Sequence, residues 1–511
     1  MRKPPTETEG GSYHGKVGRG VLWSMTNSFV LRASQFAVGI ITARLIAPKD
    51  FGVFAVALVV FTIIINVSEA GVGTTLIREP ERTKEFAPTA VTIALVSAGV
   101  LAAIMVSTAH VTANWLGAPN AASSIMVLSL TVLLAGATAT PSIQLTMQFR
   151  QKEQFLTDVA SFVVANGTLV VLLLAHLGPL ALAWSRVAGQ VVILVMLQYL
   201  VHERYLPGFN RERARYLLRI GLPFAGANLV SYIISSVDFA LIGRLSGPTR
   251  LGYYNLAFNI SNWPSNVFSS AVNKVTLPIL GRARHDRAEL VTHLTSAASA
   301  VCACAFPVSA ICAGLAHPLI EAVYGPRWTA AAPALYGLSV LGAATVISAI
   351  FIDALFALGR SYVLLTAQII SVILLIPGIY LGVRIDGISG AAWTNAIILG
   401  GVLLAMYVYA VHACGITVGW LPRVVALPLV GSAAAGVTAH LTATLVSNAA
   451  LACLAGTAAA LVVYVLICGL WLRKTATRLR QLYGKRVDQA AAEPDEAPDT
   501  GTDAAIGMTP A

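Results

Sequence analysis

The sequence predicts an all-α polytopic membrane protein with about 14 transmembrane helices. Two parallel six-helix lobes surround a central cavity, and two C-terminal helices follow them. Three observations predict this. Of 511 residues, 57% are hydrophobic and 11% charged, with a mean hydropathy of +0.75; a soluble domain carries about a quarter charged residues. Charge, Gly or Pro interrupts the apolar runs at intervals that suit bilayer crossings. A punctuation written once as ARLIAPKDFG (43–52) returns as GRLSGPTRLG (243–252).

A helix crosses the hydrocarbon core with about 20 apolar residues. Such runs lie near 21–46, 51–76, 87–110, 121–141, 155–176 and 179–200, then near 217–245, 251–278, 290–316, 329–357, 361–383 and 388–412, with two more near 422–445 and 449–472. The divisions at 176–179 and 384–388 rest on very short loops. The first run is too long for a signal-peptide core and is read as a retained helix. With both termini cytoplasmic, 24 Lys and Arg fall in cytoplasmic segments, while the outer loops hold only Lys49, Arg250, Arg327 and Arg384. One missed span would invert every later loop, so this asymmetry supports the span count.

The expected organisation is a cytoplasmic N-terminal tail (1–19), an N-lobe (20–200), a basic cytoplasmic connection (201–219) and a C-lobe (220–412). Helices 13 and 14 (413–475) come next, then a cytoplasmic tail (476–511) whose Ala, Asp, Glu and Pro bury too little apolar surface to fold. The net charge of +11 follows from the cytoplasmic loops, so no nucleic-acid partner is expected. The connection at 202–219 is amphipathic enough to lie on anionic lipid. The six cysteines sit in apolar runs and read as small buried hydrophobes. Cys302 and Cys304 point about 200° apart on a helix, which is poor for sharing a metal ion.

The repeat pairs Arg44 with Arg244, Pro48 with Pro248 and Gly52 with Gly252. LGPLALAW (177–184) is answered by DGISGAAW (386–393), and WLGAP (115–119) more weakly by VYGPRW (323–328). The offset of 200–209 residues spans six helices, an even number, so the copies are parallel and related by an axis along the membrane normal. Pro and Gly shape a tight outer turn, and Arg44 and Arg244 end their helices, where a cation suits the helix dipole.

The pattern GRGVLW…ARLIAPKDFGVFA…EAGVGTTLIRE, with its weaker continuation over 18–475, resembles the polysaccharide-transporter branch of the MOP flippase superfamily, which includes Wzx-type O-antigen and exopolysaccharide flippases. The resemblance implies two six-helix lobes with a cavity lined mainly by helices 1, 2, 7 and 8. It also implies movement of polyprenyl-diphosphate-linked oligosaccharide from the inner to the outer leaflet of a bacterial cytoplasmic membrane. Helices 13 and 14 occur in this branch and in lipid II flippases.

Polar residues inside the spans point independently to a hydrophilic cavity. In the eighth span, Asn255, Asn259, Asn262, Asn266, Ser269 and Asn273 keep one helical face. The second span holds Thr62, Asn66, Glu69 and Gly73 at the matching positions. The first span has Ser28, Arg32, Gln35 and Thr42, and the seventh Asn228, Tyr232 and Ser235. Lipid satisfies none of these groups, so the stripes face protein or water; the plainer reading is interhelical hydrogen-bond glue. The candidate substrate-binding set is Arg32, Lys274, Gln35, Asn66, Asn228, Asn259, Asn262, Asn266 and Asn273. Arg32 stands near mid-membrane at a cost of about 2.5–3.5 kcal/mol on insertion scales. Its guanidinium suits a diphosphate, and Lys274 supplies a second cation.

Glu69 and Asp238 are ion-coupling candidates, against the alternative of static pairs with Arg32, Lys274 or Arg244. Arg186 reads as structural. Asp158 and Asp353 lie near helix ends, solvated or paired with Arg150 and Arg360. The histidines form no cluster, and no GxxxxGK[ST] loop occurs. No catalytic residue, metal or cofactor is expected, and energy comes from an ion, potential or substrate gradient. The expected function is a flippase acting by alternating access, whose partners are lipid-linked oligosaccharide, membrane lipids and polysaccharide polymerase or export proteins. A cation-coupled multidrug exporter would favour an acidic, aromatic cavity. A membrane glycosyltransferase or polymerase would need larger outer loops than those carrying Asp50, Glu321 and Asp386.

Overall fold

The computed structural model describes residues 34–35, 37–70, 82–148, 150–201, 205–283 and 287–492, leaving aside the side chains of 68–70, 223–224, 227–228, 230–231, 234–235, 263–283, 361 and 478–492. These residues are helical apart from short connections, and no strand occurs among them. Helix α1 is described over 34–35 and 37–45. Then come α2 (Pro48–Ala70), α3 (Thr83–Trp115), α4 (Ala121–Met147), α5 (Gln151–Leu174) and α6 (Pro179–Leu200).

One helical run, Arg211–Ala283, breaks at Gly247 (φ 79°, ψ 171°) into α7 (211–246) and α8 (248–283). After α9 (Arg287–Gly314), a short helix (Ala316–Tyr324) and a 3-10 turn (Pro326–Ala331) lead into α10 (Ala332–Ala357). A second long run breaks at Asp386 and Gly387, giving α11 (361–385) and α12 (388–413), the latter with a π-helical segment at Ala396–Leu403. The chain ends with α13 (Leu421–Leu445) and α14 (Ala449–Ala492). Among the described residues, ten helical stretches are long and apolar enough to cross a membrane; one of them, Tyr362–Ala413, contains both α11 and α12.

Both short-loop divisions are present. At the first, Gly178 has φ 56° and ψ −125° and caps α6, whose first residue is Pro179. At the second, Gly387 has φ 54° and ψ −133°. These are the two glycines that the repeat pairs, and they share one backbone conformation. A side chain rarely adopts it, because Cβ would crowd the neighbouring carbonyl. The repeat therefore extends to single torsion angles.

Helices α2 to α6 pack on one another, and α7 to α12 do the same. Small residues set the spacing. Ala87, Ala90, Ala94, Ala98, Ala102, Ala109 and Ala113 line the buried face of α3. A Cβ on Gly136 of α4 would meet the Ala98 methyl and the Ala94 carbonyl. Lipid tails are as apolar as Leu, so membrane helices gain by close backbone approach rather than by bulk. Helices α13 and α14 pair with each other and lean on α9, around Leu315, Ala435, Ala439, Ala460 and Tyr464. The largest core joins the two halves at one end, combining Ile46, Val53 and Phe54 with Ile242, Leu251, Tyr254 and Trp328.

Candidate functional site

The repeated motif lies where the halves meet. Pro48 opens α2 and Pro248 opens α8, each at a position where the missing N–H costs nothing. The two helices cross at Gly52 and Gly252. A Cβ on Gly52 would collide with the Pro248 carbonyl oxygen, and one on Gly252 with the Pro48 carbonyl oxygen. The crossing is reciprocal because the repeat is.

The paired arginines act across the lobes. Arg44 donates from Nε to the Val323 carbonyl (2.8 Å) and from Nη2 to the Ala322 carbonyl (2.7 Å). Arg244 donates from Nη1 to the Trp115 carbonyl (2.8 Å) and lies 5.0 Å from the Trp115 ring centroid. Trp115 and Val323 are equivalent residues of WLGAP and VYGPRW. Each arginine thus holds the other lobe's connection between its third and fourth helices. Both cations do stand in the last turn of their own helices, where they suit the dipole, and their N–H groups also reach carbonyls at helix ends in the opposite lobe. Trp328, fully buried, donates Nε1–H to the Ala43 carbonyl (2.7 Å), and Arg327 donates to the Arg44 carbonyl (2.9 Å). Nothing at the equivalent N-lobe positions foreshadowed those two bonds.

The amide stripe is described in part. Asn259 donates to the Asn255 carbonyl (2.9 Å) and to its side-chain Oδ1 (3.1 Å). Asn262 donates to the Phe258 carbonyl (3.0 Å), and Asn66 to the Thr62 carbonyl (2.7 Å). These N–H groups bond back to their own helices, and among the described residues these amides make no interhelical hydrogen bond. Gln35 points elsewhere, into a cavity within the N-terminal half. Arg32 lies outside the described residues, as do the side chains of Glu69, Asn228, Ser235, Asn266, Ser269, Asn273 and Lys274.

Asp238 is buried, and among the described residues its carboxylate is held by a tyrosine and a backbone N–H, with Arg244 bonded elsewhere, as their six-residue separation implies. Tyr254 donates its hydroxyl to Asp238 Oδ2 (2.9 Å), and the Phe239 N–H donates to Oδ1 (2.9 Å). Asn395 of α12 donates Nδ2–H to the Tyr254 oxygen (2.9 Å). This chain links α7, α8 and α12. Its sequence signal was faint: Tyr254 and Asn395 lie 141 residues apart, and nothing in the order of letters pairs them.

Of the alternatives left open for Asp158 and Asp353, pairing with Arg150 and Arg360 is not the one formed. Arg150 meets Glu153 (3.3 Å) rather than Asp158, and Arg360 donates to the Tyr362 hydroxyl (2.8 Å) rather than to Asp353. Asp353 is buried, and its Oδ2 has no hydrogen-bond partner. An apolar cleft of about 640 Å³ runs between α9, α10 and α13, past Phe306, Tyr336, Leu429 and His440.

The fold and the crossing define a two-lobed all-helical architecture built from long apolar helices. The structure titled lipid II flippase MurJ, in an inward closed conformation, superposes with a TM-score of 0.72 over 89% of this chain and 99% of its own, at 16% identity. A multidrug resistance MATE family transporter of the MOP superfamily, inward-facing, gives 0.61 over 75% and 95%, also at 16% identity.

The sequence profile described as "Polysaccharide biosynthesis protein" matches residues 41–333, and the chain belongs to that family. The succinoglycan biosynthesis transport protein ExoT of Rhizobium meliloti (strain 1021) is 27% identical over 93% of this chain and 97% of its own. The lipopolysaccharide biosynthesis protein WzxC of Escherichia coli (strain K12) is 23% identical over 83% and 88%.

Proposed function

We propose that this chain is a flippase that carries polyprenyl-diphosphate-linked oligosaccharide across the bacterial cytoplasmic membrane for cell-surface polysaccharide biosynthesis. The observation that carries the reading is the reciprocal junction. Two equivalent lobes meet at a glycine crossing, and each holds a connection of the other through one arginine. Alternating access requires this junction, the arginine bonds together with the core around the crossing, to part at one end while each lobe keeps its own packing. Relatives named for succinoglycan transport and lipopolysaccharide biosynthesis support a glycan cargo.

With both termini cytoplasmic, the clasped end faces outward. The lobes are 20–200 and 220–412, and 413–475 adds two helices beside the C-lobe. Arg32 and Lys274 receive the diphosphate, and the amides of α2, α7 and α8 receive sugar hydroxyls. The apolar cleft beside α13 suits an isoprenoid chain. Glu69 and Asp238 are the coupling candidates. Partners are the lipid-linked glycan, membrane lipids, and polymerase or export proteins acting on the product.

The test is depletion in the native host, followed by extraction of polyprenyl-linked glycan and assignment of its leaflet. Glycan trapped on the cytoplasmic side is expected, rescued by wild type but not by Arg32→Ala, which still inserts. Unchanged lipid-linked glycan with raised drug sensitivity overturns the proposal in favour of an exporter.

A further inference from the structure

The N-terminal half carries an open cavity of about 550 Å³ between α1, α2, α4, α5 and α6. That volume lies within the range of small-molecule sites, roughly 300–1,000 Å³. Three planar polar side chains are exposed into it: Gln35, Asp158 and Arg186. Arg186 lies against the Phe54 and Phe61 rings, 5.8 Å from each centroid. No carboxylate among the described residues is within ion-pair distance of it, and neither Gln35 nor Asp158 has a hydrogen bond among those residues. Gln190 uses its Nε2 on the Thr138 hydroxyl (3.0 Å), leaving its oxygen free.

The helices fix the separation of the two charges. The Ser161 hydroxyl donates to the Gly189 carbonyl (3.0 Å), which sets the register of antiparallel α5 and α6. Asp158 lies three residues to one side of that level and Arg186 three residues to the other. At 1.5 Å per residue, their backbones are about 9 Å apart along the axes.

The other lobe shows what this arrangement lacks. The repeat places Phe54 opposite Tyr254 and Arg186 opposite Asn395. In the C-lobe the polar groups at these positions bond one another, together with Asp238. In the N-lobe a phenyl ring replaces the hydroxyl, and the guanidinium, with five donors, has no hydrogen-bond acceptor among the described residues. An intramembrane arginine is costly, and this one is turned toward a cavity rather than neutralised.

We propose that this N-lobe cavity is a saccharide subsite, taking one or two uncharged sugar units of the cargo. The inference rests on the flippase reading for the identity of the cargo. Arg186 would donate to ring or hydroxyl oxygens and Asp158 would accept from hydroxyls on the opposite side. Gln35 and Gln190 do both, while Phe162 and Ile193 provide an apolar wall for C–H faces. The two charges select against simpler ligands. A diphosphate or uronate attracted by Arg186 is repelled by Asp158, and an organic cation attracted by Asp158 is repelled by Arg186. A neutral polyol satisfies both.

The test uses the purified full-length protein in nanodiscs, with saturation-transfer NMR on D-glucose and D-galactose. Sodium glucuronate, inorganic phosphate and tetraethylammonium serve as comparison probes. At least one neutral hexose is expected to bind in preference to all three charged probes. Arg186→Gln and Asp158→Asn are each expected to weaken hexose binding at least tenfold. Gln35→Ala, at an exposed position with no hydrogen bond among the described residues, weakens it about threefold and guards against misfolding of the charge variants. Preferential binding of glucuronate or phosphate, lost in Arg186→Gln and strengthened in Asp158→Asn, overturns the proposal in favour of an anion site. Absence of hexose binding, or binding indifferent to all three substitutions, also overturns it. Leaflet assignment in depleted cells is scored separately: trapped glycan without hexose binding fails the subsite alone, and hexose binding without trapped glycan fails the flippase reading.

Discussion

Asp238 illustrates how a residue's role depends on neighbours that the sequence does not place beside it. Its carboxylate is inside the C-lobe, and Tyr254 and the Phe239 N–H occupy one oxygen each. Removing one partner of a buried charged hydrogen bond costs roughly 1–3 kcal/mol or more. Tyr254→Phe is therefore expected to lower thermal stability, read as a fall in the midpoint of detergent-solubilised protein. Asp238→Asn keeps an acceptor for the tyrosine and is expected to fold. If Asp238 couples transport to a cation, that variant loses the dependence of flipping on an imposed ion gradient in proteoliposomes. Undiminished gradient dependence would leave the residue a structural role only. The sequence singled out Asp238 as an acid in a span. It could not supply the tyrosine and asparagine, because their meeting depends on how α7, α8 and α12 pack.

At the scale of elements, the connections are specified as closely as the helices. Gly178 and Gly387 begin equivalent helices in a backbone conformation that holds few side chains. Forcing a Cβ into such a region costs about 1–3 kcal/mol. Gly178→Ala and Gly387→Ala are expected to lower stability by similar amounts, and a clear inequality would argue against equivalent lobes. The crossing at Gly52 and Gly252 predicts a functional defect instead. Gly52→Val pushes α2 away from the Pro248 carbonyl and should disfavour the clasped state. A cysteine replacing Asn66 would then react faster with a membrane-impermeant thiol reagent added outside. Unchanged reactivity would mean that the crossing does not gate access. Both glycine pairs were legible as repeated letters. Their purposes differ, torsion in one pair and close approach in the other, and only packing separates them.

At the scale of the whole molecule, the two arginine contacts hold the lobes together with the core around Ile46, Leu251 and Trp328. Hydrogen bonds from charged donors are worth about 1.5–3 kcal/mol, and these exposed ones should be toward the low end. Arg44→Ala and Arg244→Ala are expected to open the outer end additively, by roughly tenfold each, in the same Asn66-cysteine labelling assay. A single substitution with the full effect of both would indicate one shared contact rather than a reciprocal pair. The topology has its own test. In a cysteine-free background, a cysteine replacing Lys49 should label from outside, and one replacing Lys152 only after permeabilisation. Labelling of Lys152→Cys in intact cells would overturn the orientation.

The span pattern, the loop asymmetry and the six-helix repeat were all readable from the amino-acid order. Each follows from local physics: lipid excludes polar groups, membrane insertion sorts Lys and Arg, and glycine and proline set turns. The partners of Arg44 and Arg244 were not readable, because a backbone carbonyl has the same letter-free chemistry at every position. The contrast between Arg186, facing a cavity, and Asn395, hydrogen-bonded at the equivalent place, was equally hidden. Both residues are polar letters in apolar helices. Only the tertiary packing decided that one lobe filled that position with its own hydrogen bonds and the other left it open.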